Sequence, residues 1–212
     1  MKNDFENRSF LFEVRAEENE KHGKFITGRP IVYERWTDIG YFDEVICRGA
    51  LDGADLTDVR FLVNHDTSKI PLARSRKNTA NSTMQLSVDY EGLAIRVNVD
   101  TENNADARAL YSAVQRGDIT GMSFMFTIDG QRWEDLESEH PKRFIEKVGS
   151  VIEVSAVTFP AYEDTEINAR DKAAVETARR ELENARSQTV ETVSDDDIEK
   201  MKIRCRILGG KK

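Results

Sequence analysis

Gly117-Asp118-Ile119-Thr120-Gly121-Met122-Ser123-Phe124-Met125-Phe126-Thr127-Ile128 decides how this chain folds. From Thr120 to Ile128 apolar residues alternate, and along a strand successive side chains point to opposite faces. Met122, Phe124, Phe126 and Ile128 therefore form a core face. Ser123, Met125 and Thr127 point the other way. Gly121 leaves room beside Ser123 for another group to approach closely.

Such a strand needs neighbours, and the sequence on both sides supplies them. Ser9 to Ala16 alternates through Phe10, Phe12, Val14 and Ala16. Met84, Leu86, Val88 and Tyr90 alternate, then Leu93, Ile95, Val97 and Val99, with Glu91-Gly92 between as a hairpin turn. Val59 to His65 and Ser150 to Phe159 read as two further strands. Asn103 to Arg116 is the one clear helix of the body, with Ala105, Ala109, Leu110, Ala113 and Val114 on one face and Gly117 as its stop. The expected fold is mostly β with peripheral helices, its short strands forming a barrel or a strongly curved sheet.

Composition narrows the function. The chain has 212 residues, of which 33% are charged, and its formal net charge is −8. No apolar run approaches the ~20 residues of a membrane span. The acidic N-terminus lacks the hydrophobic stretch of a secretory signal. Cys47 and Cys205 form no closely spaced pair, and His22, His65 and His140 lie far apart, so no zinc-binding spacing arises. Glycine-rich phosphate-binding motifs are missing, and the acidic balance disfavours nucleic acid. The expectation is a soluble cytosolic-type protein that works without metal or cofactor.

Charge also divides the chain. Residues 1–170 hold 21 bases and 30 acids, residues 171–212 hold 10 bases and 9 acids, and no aromatic residue follows Tyr162. A boundary therefore falls near Ala169 to Asp171, giving a body over 1–170 and a tail over 171–212. In the tail, Val175, Ala178, Leu182 and Ala185 recur with helical spacing. Gln188 to Val193 reads as a polar link, and a second helix starts at Ser194 and carries Ile198, Met201, Cys205 and Leu208. The narrow stripes suit a helix that docks on a partner, and equally a solvated tail.

Three residues could form a catalytic set. Ser123 sits on a well-anchored strand without being forced into the core, a good platform for a nucleophile; the same position suits a solvated serine. His65 ends an apolar strand and is the best of the three histidines for a general base, although a histidine there is often structural. Glu153 shares a face with Val151, Ser155, Val157 and Phe159, where a carboxylate needs a partner. Together they permit Ser-His-Glu chemistry: Ser123 attacks a peptide carbonyl, His65 takes its proton, and Glu153 orients the imidazole. Activity should then fall in acid as the histidine base takes up its proton.

Several motifs bring these residues together in order. They are Gly28-Arg29-Pro30-Ile31-Val32-Tyr33, Phe42-Asp43-Glu44-Val45-Ile46, Val63-Asn64-His65-Asp66, Gly117 to Phe126, and Glu153-Val154-Ser155-Ala156-Val157-Thr158-Phe159-Pro160-Ala161-Tyr162. In this the sequence resembles the prohead maturation proteases of tailed bacteriophages, distantly similar to the herpesvirus assemblins, from about Phe12 to Arg170. The resemblance implies that Ser123 and His65 are catalytic. It maps the third member to Glu153, where assemblins use a second histidine. It implies a small antiparallel β-barrel with peripheral helices. It also implies a serine endopeptidase inside the phage prohead, in the host cytoplasm before assembly, that removes the scaffolding segment of the major capsid protein and digests itself. Dimerisation is common among the assemblins. Oxyanion stabilisation would fall to backbone N–H groups in the loop Phe159 to Asp164 or to an arginine, with Arg143 and Arg170 open between that role and plain surface charges. The tail over 171–212 is expected to be a removable targeting or scaffold-binding segment. Two rival readings are a catalytically silent capsid-assembly module with a protease-like fold and an esterase with the same triad.

Overall fold

The computed structural model describes residues 5–10, 14–20, 23–158 and 171–191. The strands among them are β1 (Glu6–Phe10), β2 (Arg15–Asn19), β3 (Gly23–Val32), β4 (Thr37–Asp38), β5 (Asp43–Ile46), β6 (Asp58–Val63), β7 (Ala73–Arg76), β8 (Met84–Asp89), β9 (Gly92–Asn98), β10 (Gly121–Glu134) and β11 (Lys142–Val157). The helices are α1 (Ala105–Arg116) and α2 (Asp171–Glu191).

The strands form two sheets. One is 4-stranded in the order β2-β3-β9-β8; the other is 7-stranded, with the path β1-β10-β11-β5-β4 and a branch through β6 and β7. The side chains of Ile26, Ile31, Leu93, Ile95 and Val97 from the first sheet join Phe61, Met122, Phe124, Phe126, Val151 and Val154 from the second in one buried core. Among the described residues no pairing closes either sheet, so the expected small antiparallel barrel gives way to an open two-sheet arrangement. The reason lies in β11. It pairs antiparallel with β10 along its length, but parallel with β5 at Lys142–Ile145 and parallel with β6 at Glu153–Ala156. A strand apolar on both faces suits such an interior, mixed position.

The hairpin β8–β9 turns through Tyr90 and Glu91, with Asp89 opposite Gly92. Gly92 has φ 140, and a Cβ there would fall on the carbonyl oxygen of Ile31, so both the conformation and the close approach require glycine. Helix α1 opens at Asn104, whose side chain accepts from the N–H groups of Asp106 and Ala107, and closes at Gly117 with φ 77. Its buried face is Ala107, Leu110, Tyr111 and Val114. The expected stripe through Ala105 and Ala109 is displaced, because the Tyr111 ring has more apolar surface to bury than either alanine.

Two further expectations change. Ser9 to Ala16 is not one strand: β1 pairs with β10 and β2 with β3, in different sheets. The tail helix α2 runs through the expected polar link as far as Glu191. It buries Ala178 and Leu182 against Ile39 and Phe42, and Arg186 donates to the carbonyl oxygens of Leu136 and Ser138, both at 2.9 Å. The expected second tail helix, Ser194 to Leu208, lies outside the described residues. No described helix is long and apolar enough to cross a membrane.

Candidate active site

The site is built on β10 and its two neighbours. Ser123 is opposite Ser155 of β11 on one side and opposite Ser9 of β1 on the other. Residues opposed across a sheet share a face, so Ser123 and Ser155 are adjacent on the face away from the core. That face is covered, contrary to the expectation of a half-open one: Ser123 is 0% exposed. Its hydroxyl donates to the backbone carbonyl oxygen of Arg8 at 2.7 Å.

Ser155 leads from Ser123 to the other two residues. Its hydroxyl donates to Oε2 of Glu153 at 2.6 Å and accepts from the backbone N–H of His65 at 3.2 Å. The other carboxylate oxygen, Oε1 of Glu153, is bonded to Nδ1 of His65. Glu153 is 2% exposed and the His65 side chain 22%, so the carboxylate is desolvated while the imidazole keeps an outer edge. Ser155 was not singled out from the sequence, although it lies on the same face as Glu153, two residues on.

A bulge marks where the site ends and the core face begins along β11. Met125 opposes Glu153 but Phe126 opposes Val151, so the register slips across Ile152. Val151 thereby joins the core face opposite Phe126, and the expected common face for Val151 and Glu153 is broken. One extra residue re-aims the side chains beyond it, a frequent device next to functional sites.

His65 does not end its strand as expected. β6 stops at Val63, and Asn64 and His65 then take φ 52 and φ 56. Two successive left-handed residues without glycine are strained and need outside support. Asn64 supplies it. Its backbone N–H donates to Ala156, its Nδ2 donates to Oγ1 of Thr158 at 3.0 Å, and its Oδ1 accepts from the N–H of Thr158 at 2.9 Å. The loop carrying His65 is thus pinned to the end of the strand carrying Glu153. Asn64→Ala should lower kcat on the order of tenfold by loosening the imidazole, with a fall in Tm of only a few degrees; parallel turnover and melting measurements check it. Beside this loop a cavity of about 280 Å³ is lined by Leu62, Val63, Leu72, Leu110 and Ile119, with Asp66, Lys69 and Asp106 at its polar parts.

Beneath β1 is a buried ionic cluster. Arg8 donates from Nε to Oε1 of Glu44 at 2.5 Å, from Nη2 to Oε2 of Glu44 at 2.7 Å, and also bonds Glu6. Arg143 donates to Oε2 of Glu6 at 2.9 Å, to Oε1 of Glu6 at 2.8 Å and to Oε2 of Glu44 at 3.0 Å. Arg143 is 1% exposed, so the reading of it as a surface charge is corrected: two acids and two arginines neutralise one another out of water. Burial alone would raise the Glu6 carboxyl, but the Arg8 and Arg143 guanidiniums overcome it and hold Glu6 at about 2, below its ordinary 4.5. A depressed carboxylate stabilises the fold above its unfolded pKa, and that contribution is lost as pH falls through the folded value. The wild type should therefore lose Tm between pH 4.5 and about 2 more steeply than Glu6→Gln does, in melts followed across that range.

The caudovirus prohead serine protease family matches residues 11–180. The chain belongs to that family. The matched span of this prohead serine protease contains Ser123, His65, Glu153, Asn64 and Ser155, and it begins after the end of β1. Membership in a serine protease family makes the chain a peptide-bond hydrolase with a role in capsid maturation. No curated protein matches the chain. The bacteriophage T4 capsid assembly protease is a similar solved structure, with 14% sequence identity over 73% of this chain and 99% of that one, and a TM-score of 0.39.

The protease has one more cluster of potential ligands. Asp38, Asp43 and His140 bring three donor atoms within 4.8 Å of one another, on β4, β5 and the turn before β11. His140 Nε2 lies 3.2 Å from Oδ1 of Asp43, an exposed ion-pair geometry that needs no metal. The oxyanion loop expected at Phe159 to Asp164, and Arg170, lie outside the described residues.

Proposed function

We propose that this prohead protease uses Ser123 as nucleophile, His65 as general base and Glu153 to orient the imidazole. The observation that carries the reading is the linkage of His65, Glu153 and Ser155, with Ser123 opposite Ser155 on the next strand. With Glu153 on Nδ1, the neutral imidazole holds its proton there, and Nε2 keeps the lone pair that accepts a proton from a serine hydroxyl. Oγ of Ser123 attacks the carbonyl carbon and its proton passes to His65. His65 then protonates the departing amine as the C–N bond breaks. Water, deprotonated by the same imidazole, hydrolyses the acyl-enzyme.

The substrate in this proposal is the major capsid protein, cut to release its scaffolding segment inside the prohead, with the protease itself as a second substrate and a homodimer as its assembled state. Membership in the prohead serine protease family supports the capsid protein as substrate. The apolar cavity beside His65 suits an aliphatic side chain of an extended peptide. Coexpression with the cognate coat protein tests the reading. The wild-type chain should shorten the coat protein on a gel and Ser123→Ala should not; shortening that persists in Ser123→Ala rules the assignment out.

The division into a protease domain over 1–170 and a removable tail over 171–212 belongs to the same proposal. Deleting Asp171 to Lys212 should leave peptidase activity, lower Tm by uncovering Ile39 and Phe42, and abolish incorporation into proheads. A truncated chain packaged in wild-type amounts would refute the targeting role.

A further inference from the structure

Among the described residues, strand β1 pairs with β10 alone, at the edge of the 7-stranded sheet. It lies before the span matched by the protease family, yet it pairs beside Ser123 and its Arg8 carbonyl occupies the Ser123 hydroxyl. A nucleophile that is 0% exposed cannot meet a substrate in trans while β1 stays in place. β1 also presents Ser123 with the group a substrate would present: a peptide carbonyl, that of Arg8, whose oxygen is 2.7 Å from Oγ. The carbonyl carbon is one C=O bond, about 1.2 Å, from that oxygen. An extended segment added antiparallel to an edge strand is also how many peptides are recognised: backbone bonds hold the peptide and alternate side chains enter specific sites.

Among the described side chains, β1 sends into the body two that are charged, buried and paired in two-point fashion. Arg8 is 3% exposed and meets both oxygens of Glu44. Glu6 is 5% exposed and meets both terminal nitrogens of Arg143. Two-point arginine–carboxylate pairs are directional as well as strong, and they discriminate by geometry. Removing β1 would take one cation and one anion together. It would leave Arg143 still paired with Glu44 at 3.0 Å and with Glu181 of α2 at 3.7 Å, so neither Glu44 nor Arg143 is stranded without a counter-charge when the place is vacant.

We propose that β1 marks the path of the peptide substrate along β10. Glu44 reads a basic side chain on the residue whose carbonyl meets Ser123, and Arg143 reads an acidic side chain two residues before it. The proposal rests on Ser123 being the nucleophile and adds the substrate's sequence class: an extended Glu/Asp-x-Arg/Lys segment cut after the basic residue. In this chain the place is held by the protein's own Glu6-Asn7-Arg8, so substrate competes with β1, and the bond standing at Ser123 is Arg8–Ser9.

Peptides test this on the intact wild-type chain. Three fluorogenic hexapeptides are compared: the sequence of residues 5–10, its Arg8→Gln version and its Glu6→Gln version. The unmodified peptide should have a kcat/KM at least tenfold above either, with all cleavage lost in Ser123→Ala. Equal rates for the three, or a faster Arg8→Gln peptide, overturn the proposal while leaving Ser123 as nucleophile. If no peptide is cut, the bonds cut in the cognate coat protein, located by mass spectrometry, decide: cuts without a basic residue before the bond and an acid two residues earlier overturn it. A coat protein left uncut removes the proposed function and this inference with it. Glu44→Gln in the full chain separates reading from scaffolding. It should bring the ratio of the Arg8 to the Arg8→Gln peptide toward one, and raise labelling of Ser123 by a fluorophosphonate several-fold, because the clasp on β1 is weakened. A merely structural Glu44 would lower labelling and the rates of both peptides together, and an unchanged peptide ratio would show that another group reads the residue. Should Glu44→Gln fail to fold, the wild-type peptide series and the mapped cuts decide alone.

Discussion

Ser123→Ala should reduce cleavage of the coat protein by on the order of 10⁴- to 10⁶-fold, the loss seen when a serine nucleophile is removed. The fold should survive. The substitution deletes one buried hydroxyl and with it the hydrogen bond to Arg8; losing such a bond costs about 1 kcal/mol, or roughly 2–4 °C in Tm for a chain of this size. Activity and stability therefore separate by orders of magnitude in this variant. A Ser123→Ala protein that melts like the wild type and still cuts the coat protein at an appreciable rate would remove Ser123 from the mechanism.

Glu153→Gln should lower kcat by up to about 10⁴-fold, for a reason specific to the imidazole. The carboxylate accepts from Nδ1 of His65 and from the Ser155 hydroxyl. An amide in its place can accept from Ser155 through its oxygen, but it turns an N–H donor toward His65. The ring then answers with an Nδ1 lone pair and an Nε2–H, and the atom that should receive the serine proton already carries one. The charge that stabilises the imidazolium is lost as well. Both bonds find a partner in the variant, so its Tm should change far less than its kcat. Wild-type turnover in Glu153→Gln would pass the acid's role to another group, with Asp66 next to His65 in sequence the first to examine. Asp66 accepts from the N–H and hydroxyl of Ser68, which gives it a turn-forming place already.

Much of the fold was legible because the interior strands carry their own periodicity. Met122, Phe124 and Phe126 alternate and are all 0% exposed, and the hairpin around Glu91-Gly92 is as its turn residues require. The helix ends at Asn104 and Gly117 follow from local hydrogen bonding and backbone freedom. β3 and β7 were not recognised as strands, since Gly28-Arg29-Pro30 and Ala73-Arg74-Ser75-Arg76 show no clear apolar alternation. Their pairing comes from neighbours, β9 for the one and β6 for the other. Strand propensity is weak exactly where a partner strand decides the outcome. The antiparallel barrel failed for a related reason. Periodicity says that a segment is extended, but not that β11 will accept parallel neighbours at both ends.

The residues of the site were named from sequence, and their arrangement was not. His65, Ser123 and Glu153 stand on separate segments: the scarcity of histidine singled out His65, strand position singled out Ser123 and Glu153, and the resemblance to the prohead proteases joined them. That a bulge at Ile152 sends Val151 to the core while Glu153 stays beside His65, that Ser155 joins them, and that Asn64 holds a strained loop in place depend on strand register, which no local pattern encodes. The ionic cluster was hidden still more completely. Glu6, Arg8, Glu44 and Arg143 each read alone as solvated charges, and only packing four of them into one dry space makes them mutual partners. Sequence alone thus determined the chemistry available to this protein: a mostly β body, one credible base, one well-anchored serine and a buried carboxylate. Tertiary structure decided who meets whom, including the hydrogen bond from Ser123 to the chain's own β1, because contacts between residues 115 positions apart arise from sheet pairing rather than from local sequence.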